Sequence, residues 1–444
     1  MKYKSTRGGA HGLTFTDSLL MGLAPDGGLL VPEEIPDVSM HLETWRGLDF
    51  VSLAKEVIGL FVDDIDTQTL NGLIDEAYAS FDHPDVVGTT QLGNVRVLEL
   101  FHGPTLAFKD VALQLLGKLF EHVLEVRGLK LNILGATSGD TGSAAIAGVR
   151  GQKNVDIYIL YPDNKISDLQ ELQMTTVCDD NVHCIAVDGS FDDCQTLMKT
   201  LFGDLAFKER HQLGAINSVN WARVMAQIVY YGYASLSSPS SADFCVPTGN
   251  FGNVFAAYLA KRMGFPINKL LVATNANDIL TRFFKTGVYT RGEVHFTLSP
   301  AMDIQIASNF ERYLYYLMDQ DSDYLTAFMH QFQTSGTATL AAPPDDGVFD
   351  ALAVDNDTTL QAISQAWDEF EYILDPHTAV GFAASRDLPG VTLIATAHPA
   401  KFPQAIEQAI GRVPTHPSLE SLRGLESRKQ RIPADLAAVR AIFE

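Results

Sequence analysis

The chain has 444 residues, 46% of them apolar and 19% charged, enough for two or three domains around a large core. Its net charge of −22 argues against nucleic acid or an anionic membrane as partner, because phosphate surfaces need Lys and Arg to displace their counterions. The N-terminus lacks the apolar run of a signal peptide, no run is long enough to span a bilayer, and Cys178, Cys184, Cys194 and Cys245 have no C-x-x-C spacing, so a reduced cytoplasmic protein without a metal site is expected.

Residues 1–90 read as a small N-terminal domain. The stretch D-G-G-L-L-V-P at 26–32 is a turn followed by a short apolar strand, and residues 45–81 are mostly helical in pattern, with Leu53, Val57, Leu60 and Phe61 on one face. Ser5, Thr6 and Arg7 can reach a ligand or can belong to a flexible polar terminus.

From residue 91 strands and helices alternate. Residues 95–101 read as a buried strand, Gly103 and Pro104 break it, and Val111, Leu115, Leu119, Phe120 and Val123 recur at helical spacing. Strands at 131–134, 155–161 and 183–187 alternate with helices at 143–149, 169–177 and 192–207, and another helix follows at 223–231. Ser237-Ser238-Pro239-Ser240-Ser241 is a candidate linker. Strands at 244–246 and 270–274, each followed by a helix, a helical insertion near 300–375 and a strand at 391–396 complete a second region, 237–444. Such alternation predicts βαβ units and mostly parallel sheet, hence an α/β fold.

Candidate chemistry sits where strands end. Lys109 falls in the first turn of the 111–123 helix, where the positive end of the helix dipole favours its neutral, nucleophilic form. A lysine so prepared can form a Schiff base with an aldehyde, though a lone lysine near a helix start is more often an inert surface residue. Gly249-Asn250-Phe251-Gly252-Asn253 is either an ordinary tight turn or a cradle whose N–H groups receive a phosphate at a helix start. Ser138-Gly139-Asp140-Thr141 can hold a carboxylate or can cap a helix through Ser138 or Asp140. Thr396 offers a hydroxyl to a ring nitrogen, and His398 and Lys401 lie just beyond it; a histidine beside proline is more often a structural hydrogen-bonder, and no catalytic role is assigned to His398. In Asn217-Ser218-Val219-Asn220-Trp221-Ala222-Arg223, an arginine one turn into a helix can grip a second anion or pair with a surface carboxylate.

Together these stretches resemble the threonine synthase family of pyridoxal-phosphate enzymes, fold type II. The resemblance runs over most of the chain, in the family's order: Y-K-S-T-R-G, D-G-G-L-L-V-P, F-H-G-P-T-L-A-F-K-D, A-T-S-G-D-T-G, L-Y-P-D-N-K-I-S, N-S-V-N-W-A-R, G-N-F-G-N, A-T-N-A-N-D, L-S-P-A-M-D-I and T-A-H-P-A-K. It implies two open, mostly parallel twisted-sheet domains with helices on both faces, plus the small N-terminal domain. On that division, 91–236 carries Lys109 and the substrate-carboxylate loop, and 237–444 carries the cofactor-phosphate loop.

The resemblance also implies roles. Lys109 is the Schiff-base lysine and moves protons between substrate carbons, and Phe108 packs near the cofactor ring. Gly249, Asn250, Phe251, Gly252 and Asn253 hold the cofactor phosphate, Thr396 meets the pyridine nitrogen, and Asp140 lies near the ring oxygen. Ser138, Gly139 and Thr141 hold the substrate carboxylate; Ser218, Asn220 and Arg223 grip its phosphate, with Lys401 a weaker candidate. Many fold type II relatives carry Asn where this chain has Asp140, and an ionised Asp only accepts, so Asp140 bonds elsewhere or shares a proton. The expected reaction converts O-phospho-L-homoserine and water to L-threonine and phosphate. Its alternatives are a phospholyase or dehydratase releasing a 2-oxo acid, and a non-catalytic cofactor-binding relative. The partner is a small anionic amino acid, with no nucleic acid or membrane, and the protein is a monomer or homodimer.

Overall fold

The computed structural model spans residues 1–444 and describes all of them except Asn217. Two open sheets organise the chain. In the larger, the strands run in the order Phe349–Ala353, Ile267–Thr274, Ala242–Pro247, Val391–Ala395, Val95–Glu99 and Gly88–Leu92. All pairings are parallel except that of the edge strand Gly88–Leu92, which runs antiparallel to Val95–Glu99. The smaller sheet is wholly parallel, in the order Gln430–Pro433, Val182–Asp188, Val155–Pro162, Leu131–Ala136 and Leu213–Gly214. These are the two open α/β sheets expected from the sequence.

Both faces of each sheet are covered, because successive side chains of a strand point to opposite sides. In the smaller sheet Ile133, Ile157 and Ala186 enter one core cluster while Leu134, Leu160 and Val187 enter another. In the larger sheet Phe244 and Val246 face one cluster and Cys245 the other. Helix Trp221–Leu236 runs through the largest cluster with nearly every side chain buried, Arg223 and Gln227 among them.

Each sheet draws strands from both sides of residue 237. Val95–Glu99 pairs into the larger sheet with Val391–Ala395, and Gln430–Pro433 closes an edge of the smaller one. The N-terminal 90 residues form helices Phe15–Met21, Phe50–Gly59 and Thr67–Tyr78 and a strand pair, Tyr3–Ser5 with Leu30–Pro32. They share the main core: the rings of Tyr3 and Phe61 lie 6.0 and 5.7 Å from that of Trp221.

Local differences from the sequence reading have local causes. The helix expected at 192–207 is two, Phe191–Gly203 and Leu205–Arg210, because Asp204 leaves helical geometry and caps the second by accepting from Phe207 N–H at 3.1 Å. The 300–375 region includes helices Phe310–Leu317, Ser322–Ser335 and Asn356–Phe370, but also the sheet-edge strand Phe349–Ala353. Among the described residues no helix is long and apolar enough to cross a membrane.

Candidate active site

Three neighbouring strands of the larger sheet end at three of the sequence-flagged loops. Val95–Glu99 leads to Lys109, Val391–Ala395 to Thr396, and Ala242–Pro247 to the Gly249 turn. The smaller sheet contributes Leu131–Ala136, which leads to Asp140. In open parallel sheets this carboxyl edge is where ligands bind.

Lys109 is the first residue of helix Lys109–Arg127, and Asp140 the first of helix Asp140–Val149. The two helices cross at a pair of glycines. A Cβ on Gly117 would come within 1.8 Å of the Gly148 carbonyl, and one on Gly148 within 2.4 Å of that of Leu113. This close crossing sets the helix starts side by side, with Lys109 Nζ 3.6 Å from Asp140 Oδ2. The ammonium also lies over the Phe108 ring, 4.8 Å from its centre.

Asp140 is held from its other oxygen as well. Lys401 Nζ is 3.0 Å from Oδ1, and Gln170 Nε2 donates to the same atom at 3.1 Å. Lys401 is fully buried and donates in addition to the Thr105 carbonyl at 2.6 Å. Burial opposes ionisation of Asp140, but Lys401, then Lys109 and His377, outweigh it and hold the carboxyl well below the usual carboxylate range. Burial pushes the Lys109 amine below its ordinary value; Asp140 opposes this, and Lys401 and Arg223 reinforce it. Desolvation is the largest cause that frees this amine, one the sequence did not reveal.

In the loop before Asp140, the Ser138 and Thr141 hydroxyls make no hydrogen bond among the described residues. The cap of helix Asp140–Val149 is neither Ser138 nor Asp140: Gly139 occupies that position and no side chain caps it. Thr137 Oγ1 instead accepts from Gly139 and Gly142 N–H, at 3.0 and 2.9 Å, while Ser138 is exposed and Thr141 half-buried. Gly139 has φ +139°, and a Cβ there would strike the Gln170 amide at 2.4 Å.

At the Gly249 turn, Phe251 adopts a left-handed conformation, φ +66°, and starts helix Gly252–Arg262 with no side-chain cap. Its ring packs among Phe284, Phe310 and Tyr313, so only its main chain serves the turn. Tyr230 and Tyr231 hydroxyls both donate to Asn253 Oδ1 at 2.6 Å, and Asn253 Nδ2 is buried without a partner. Arg223, 4% exposed, leaves both Nε and Nη1 unpartnered; burial pushes its guanidinium down to about 10, and Tyr230 counteracts this.

Other flagged residues are held within the protein. Asn220 Oδ1 caps Ala222 N–H at 3.1 Å and its Nδ2 donates to the Leu19 carbonyl at 3.0 Å. Ser218 Oγ is 2.7 Å from Ser308 Oγ. Thr396 is fixed through its main chain, accepting from Phe108 N–H at 2.8 Å and donating to Thr378 Oγ1 at 3.2 Å. His398 Nδ1 accepts from Ala400 N–H at 3.2 Å, a capping role. Thr6 and Arg7 both donate to Glu311, and Ser5 donates to Asp26. Asn217 lies outside the described residues.

The arrangement fits pyridoxal phosphate together with an anionic substrate. Lys109, Lys401 and Arg223 are buried basic groups, and Asp140 is the one carboxylate within ion-pair distance of any of them among the described residues. Buried donors without partners, Arg223 Nε and Nη1 and Asn253 Nδ2, call for acceptors from a ligand. Sequence reading gave no role to Thr105 and Thr137, although both lie in quoted motifs, and missed Gln170; they act through a carbonyl, a hydroxyl and an amide. It also missed Ser308, Asn309 and Arg312. There a signal existed: the S-N-F-E-R run opens a helix with Asn followed three residues later by Arg, as Asn220 and Arg223 do.

Comparison with known proteins gives consistent matches along the chain. A family profile described as the threonine synthase N terminus matches residues 2–78, one for pyridoxal-phosphate-dependent enzymes matches 90–394, and one for the threonine synthase C-terminal region matches 378–443. A threonine synthase from Pseudomonas aeruginosa is 47% identical, with 99% of this chain and 97% of that protein covered. The crystal structure of a PLP-bound threonine synthase from Brucella melitensis superposes with a TM-score of 0.97 at 43% identity, covering 100% of this chain and 98% of that one. The yeast threonine synthase structure gives 0.92 at 38% identity, covering 99% and 97%.

Proposed function

The chain belongs to the threonine synthase family, and we propose that its pyridoxal-phosphate-dependent conversion of O-phospho-L-homoserine and water to L-threonine and phosphate is carried by Lys109. The observation that supports this most is the buried Lys109 amine, lowered in basicity by desolvation and flanked by one carboxylate. When bound, the cofactor supplies an aldehyde that condenses with amines and a ring that draws electrons from the substrate's α-carbon.

In this reading Lys109, displaced by the substrate's own amine, takes the α-proton and later returns protons along the carbon chain. Asp140 stays ionised against Lys401, so it holds the Lys109 ammonium while a proton rests there and has a counter-charge when the proton leaves. Phe108 shields the amine from water on one side. The turn of Gly249, Asn250, Phe251, Gly252 and Asn253 receives the cofactor phosphate on main-chain N–H groups of an uncapped helix start. Thr396 meets the pyridine nitrogen with its hydroxyl. Ser138 and Thr141 take the substrate carboxylate, while Gly139, expected to share in this, gives its N–H to Thr137 and serves by shaping the loop; Arg223 offers its two unpartnered nitrogens to the substrate phosphate beside Ser218.

Asn220 contributes as the cap that orients Arg223, since its amide is bonded at both ends. Lys401 contributes through Asp140 and not through the substrate phosphate. Water must stay out until the β-carbon is ready to receive it, which favours closure of one sheet region on the other. A cytoplasmic location is supported by four free cysteines, three of them buried.

Lys109→Ala tests the reading. Turnover is expected to fall to a trace and the visible absorbance of covalently held cofactor to vanish, while O-phospho-L-homoserine turned over by the unaltered enzyme yields threonine and phosphate on chromatography. Substantial turnover by the variant would refute the assignment, and 2-oxobutyrate as the main product of the unaltered enzyme would refute the reaction.

A further inference from the structure

Arg312 has no exposed surface and no carboxylate among its hydrogen-bond partners. Its Nε donates to the Leu30 carbonyl at 3.0 Å, its Nη2 to the Val219 carbonyl at 2.6 Å, and its Nη1 to Asn309 Oδ1. An arginine buried on neutral oxygens is costly, so the placement needs an explanation beyond stability.

Its three acceptors belong to three separate parts of the chain. Leu30 lies in the N-terminal strand pair, and Val219 in the loop between Ser218 and Arg223. Asn309 stands at the start of the helix that carries Arg312, where its main-chain N–H donates to the Asn250 carbonyl at 3.0 Å and its Nδ2 to the Ser218 carbonyl at 3.0 Å. Ser308 repeats the link: its Oγ is 2.7 Å from Ser218 Oγ and donates to Asn250 Oδ1 at 3.2 Å. The same helix is clamped from the N-terminal side by Thr6 and Arg7, which both bond Glu311, with Arg7 Nη2 at 2.6 Å.

We propose that Arg312 is a positioning residue that, through Asn309 and Ser308, fixes the spacing between the Asn250 turn and the Ser218–Arg223 loop, so that substrate phosphate and cofactor phosphate are gripped at a set separation. The proposal rests on the reading of Ser218 and Arg223 as the substrate-phosphate grip. It extends the site to a brace that touches neither ligand, and it gives the N-terminal region a part in substrate recognition. Both arginines follow a helix-starting asparagine by three residues; Arg312 uses Nε, Nη1 and Nη2 within the protein, whereas Arg223 leaves Nε and Nη1 open. Lysine cannot replace the brace, because a single ammonium lacks the planar fork that reaches three carbonyl-type oxygens in different directions.

The test compares Arg312→Lys, Ser308→Ala and Arg223→Lys with the unaltered holoenzyme. Binding of O-phospho-L-homoserine and of L-threonine, which lacks the phosphate, is titrated by the change in visible absorbance, with kcat, KM and Tm alongside. Arg312→Lys is expected to weaken O-phospho-L-homoserine by about tenfold or more and raise KM more than it lowers kcat, while L-threonine affinity stays within about twofold. Ser308→Ala should show the same selectivity in smaller degree, and it decides the matter if Arg312→Lys does not fold. Equal weakening of both ligands, or of neither, would overturn the brace. If Arg223→Lys also leaves O-phospho-L-homoserine binding unchanged, the phosphate-grip reading fails as well; if Arg223→Lys weakens it selectively, only the brace fails.

Discussion

Asp140 sits between two lysines, with Lys109 Nζ 3.6 Å from Oδ2 and Lys401 Nζ 3.0 Å from Oδ1. Lys401 has Asp140 and the Thr105 carbonyl as partners and no solvent contact, so its removal takes the nearer of two counter-charges from a buried carboxylate and leaves it Lys109 at 3.6 Å and the Gln170 amide. Breaking one half of a buried pair costs about 3–5 kcal/mol, and Lys401→Met is expected to lose that much in denaturant unfolding, with part regained in the double variant with Asp140→Asn. A loss below about 1 kcal/mol would remove Lys401 from this role. The sequence marked Asp140 as a departure from the usual Asn and left open where it bonds. The answer, Lys401 and Gln170, lay far along the chain, where no spacing rule connects them.

His398 shows the same limit for a single side chain. Burial, with His416 beside it, pushes its imidazole down to about 4 from 6.5. The unfolded chain takes up that proton near pH 6.5 and the folded chain only near pH 4, so this stability is whole above pH 6.5 and is lost as pH falls toward 4. His398→Asn, which keeps an acceptor for Ala400 N–H, should reduce the fall in stability between pH 7 and pH 5 by roughly 2 kcal/mol. Urea unfolding at the two values measures it, and an unchanged slope would mean that His398 is not the group responsible.

At the scale of elements, the site depends on how two helices cross. Gly117 and Gly148 admit each other's backbone, and this approach brings Lys109 and Asp140 together at the helix starts. Gly117→Ala would press a methyl into a carbonyl that has no room to yield. We expect a loss of about 1–3 kcal/mol or more and a drop in cofactor retention, read from Tm and from visible absorbance per chain. A variant that kept both would show that the crossing does not set the site. Helices and strands themselves were largely legible, because buried parallel strands read as short apolar runs and helices as spaced ones. Phe349–Ala353 escaped: its edge position leaves Asp350, Leu352 and Ala353 exposed, and Asp350 with two alanines gives it no run of large or β-branched residues. The glycine crossing escaped too, since neither glycine lies in a motif.

For the whole molecule, the sequence order of strands was readable but their spatial order was not. Nothing in the local pattern of Val95–Glu99 announces that its parallel neighbour is Val391–Ala395, or that Gln430–Pro433 belongs beside Val182–Asp188. The carboxyl-edge location of the site was nevertheless legible, because each flagged loop follows a strand and parallel sheets align those ends. Polar braces such as Arg312 were not, since their partners are main-chain oxygens drawn from distant segments.

Val391–Ala395 is the strand that joins Ala242–Pro247 to Val95–Glu99. During synthesis on the ribosome, the larger sheet must therefore wait in two halves until this segment emerges. The nascent chain has Lys109 early but has no complete pocket until Thr396 and Lys401 arrive. Contacts so distant in sequence fold slowly. After dilution from denaturant, recovery of helical circular dichroism should run ahead of cofactor capture, and simultaneous recovery would contradict late insertion of this strand.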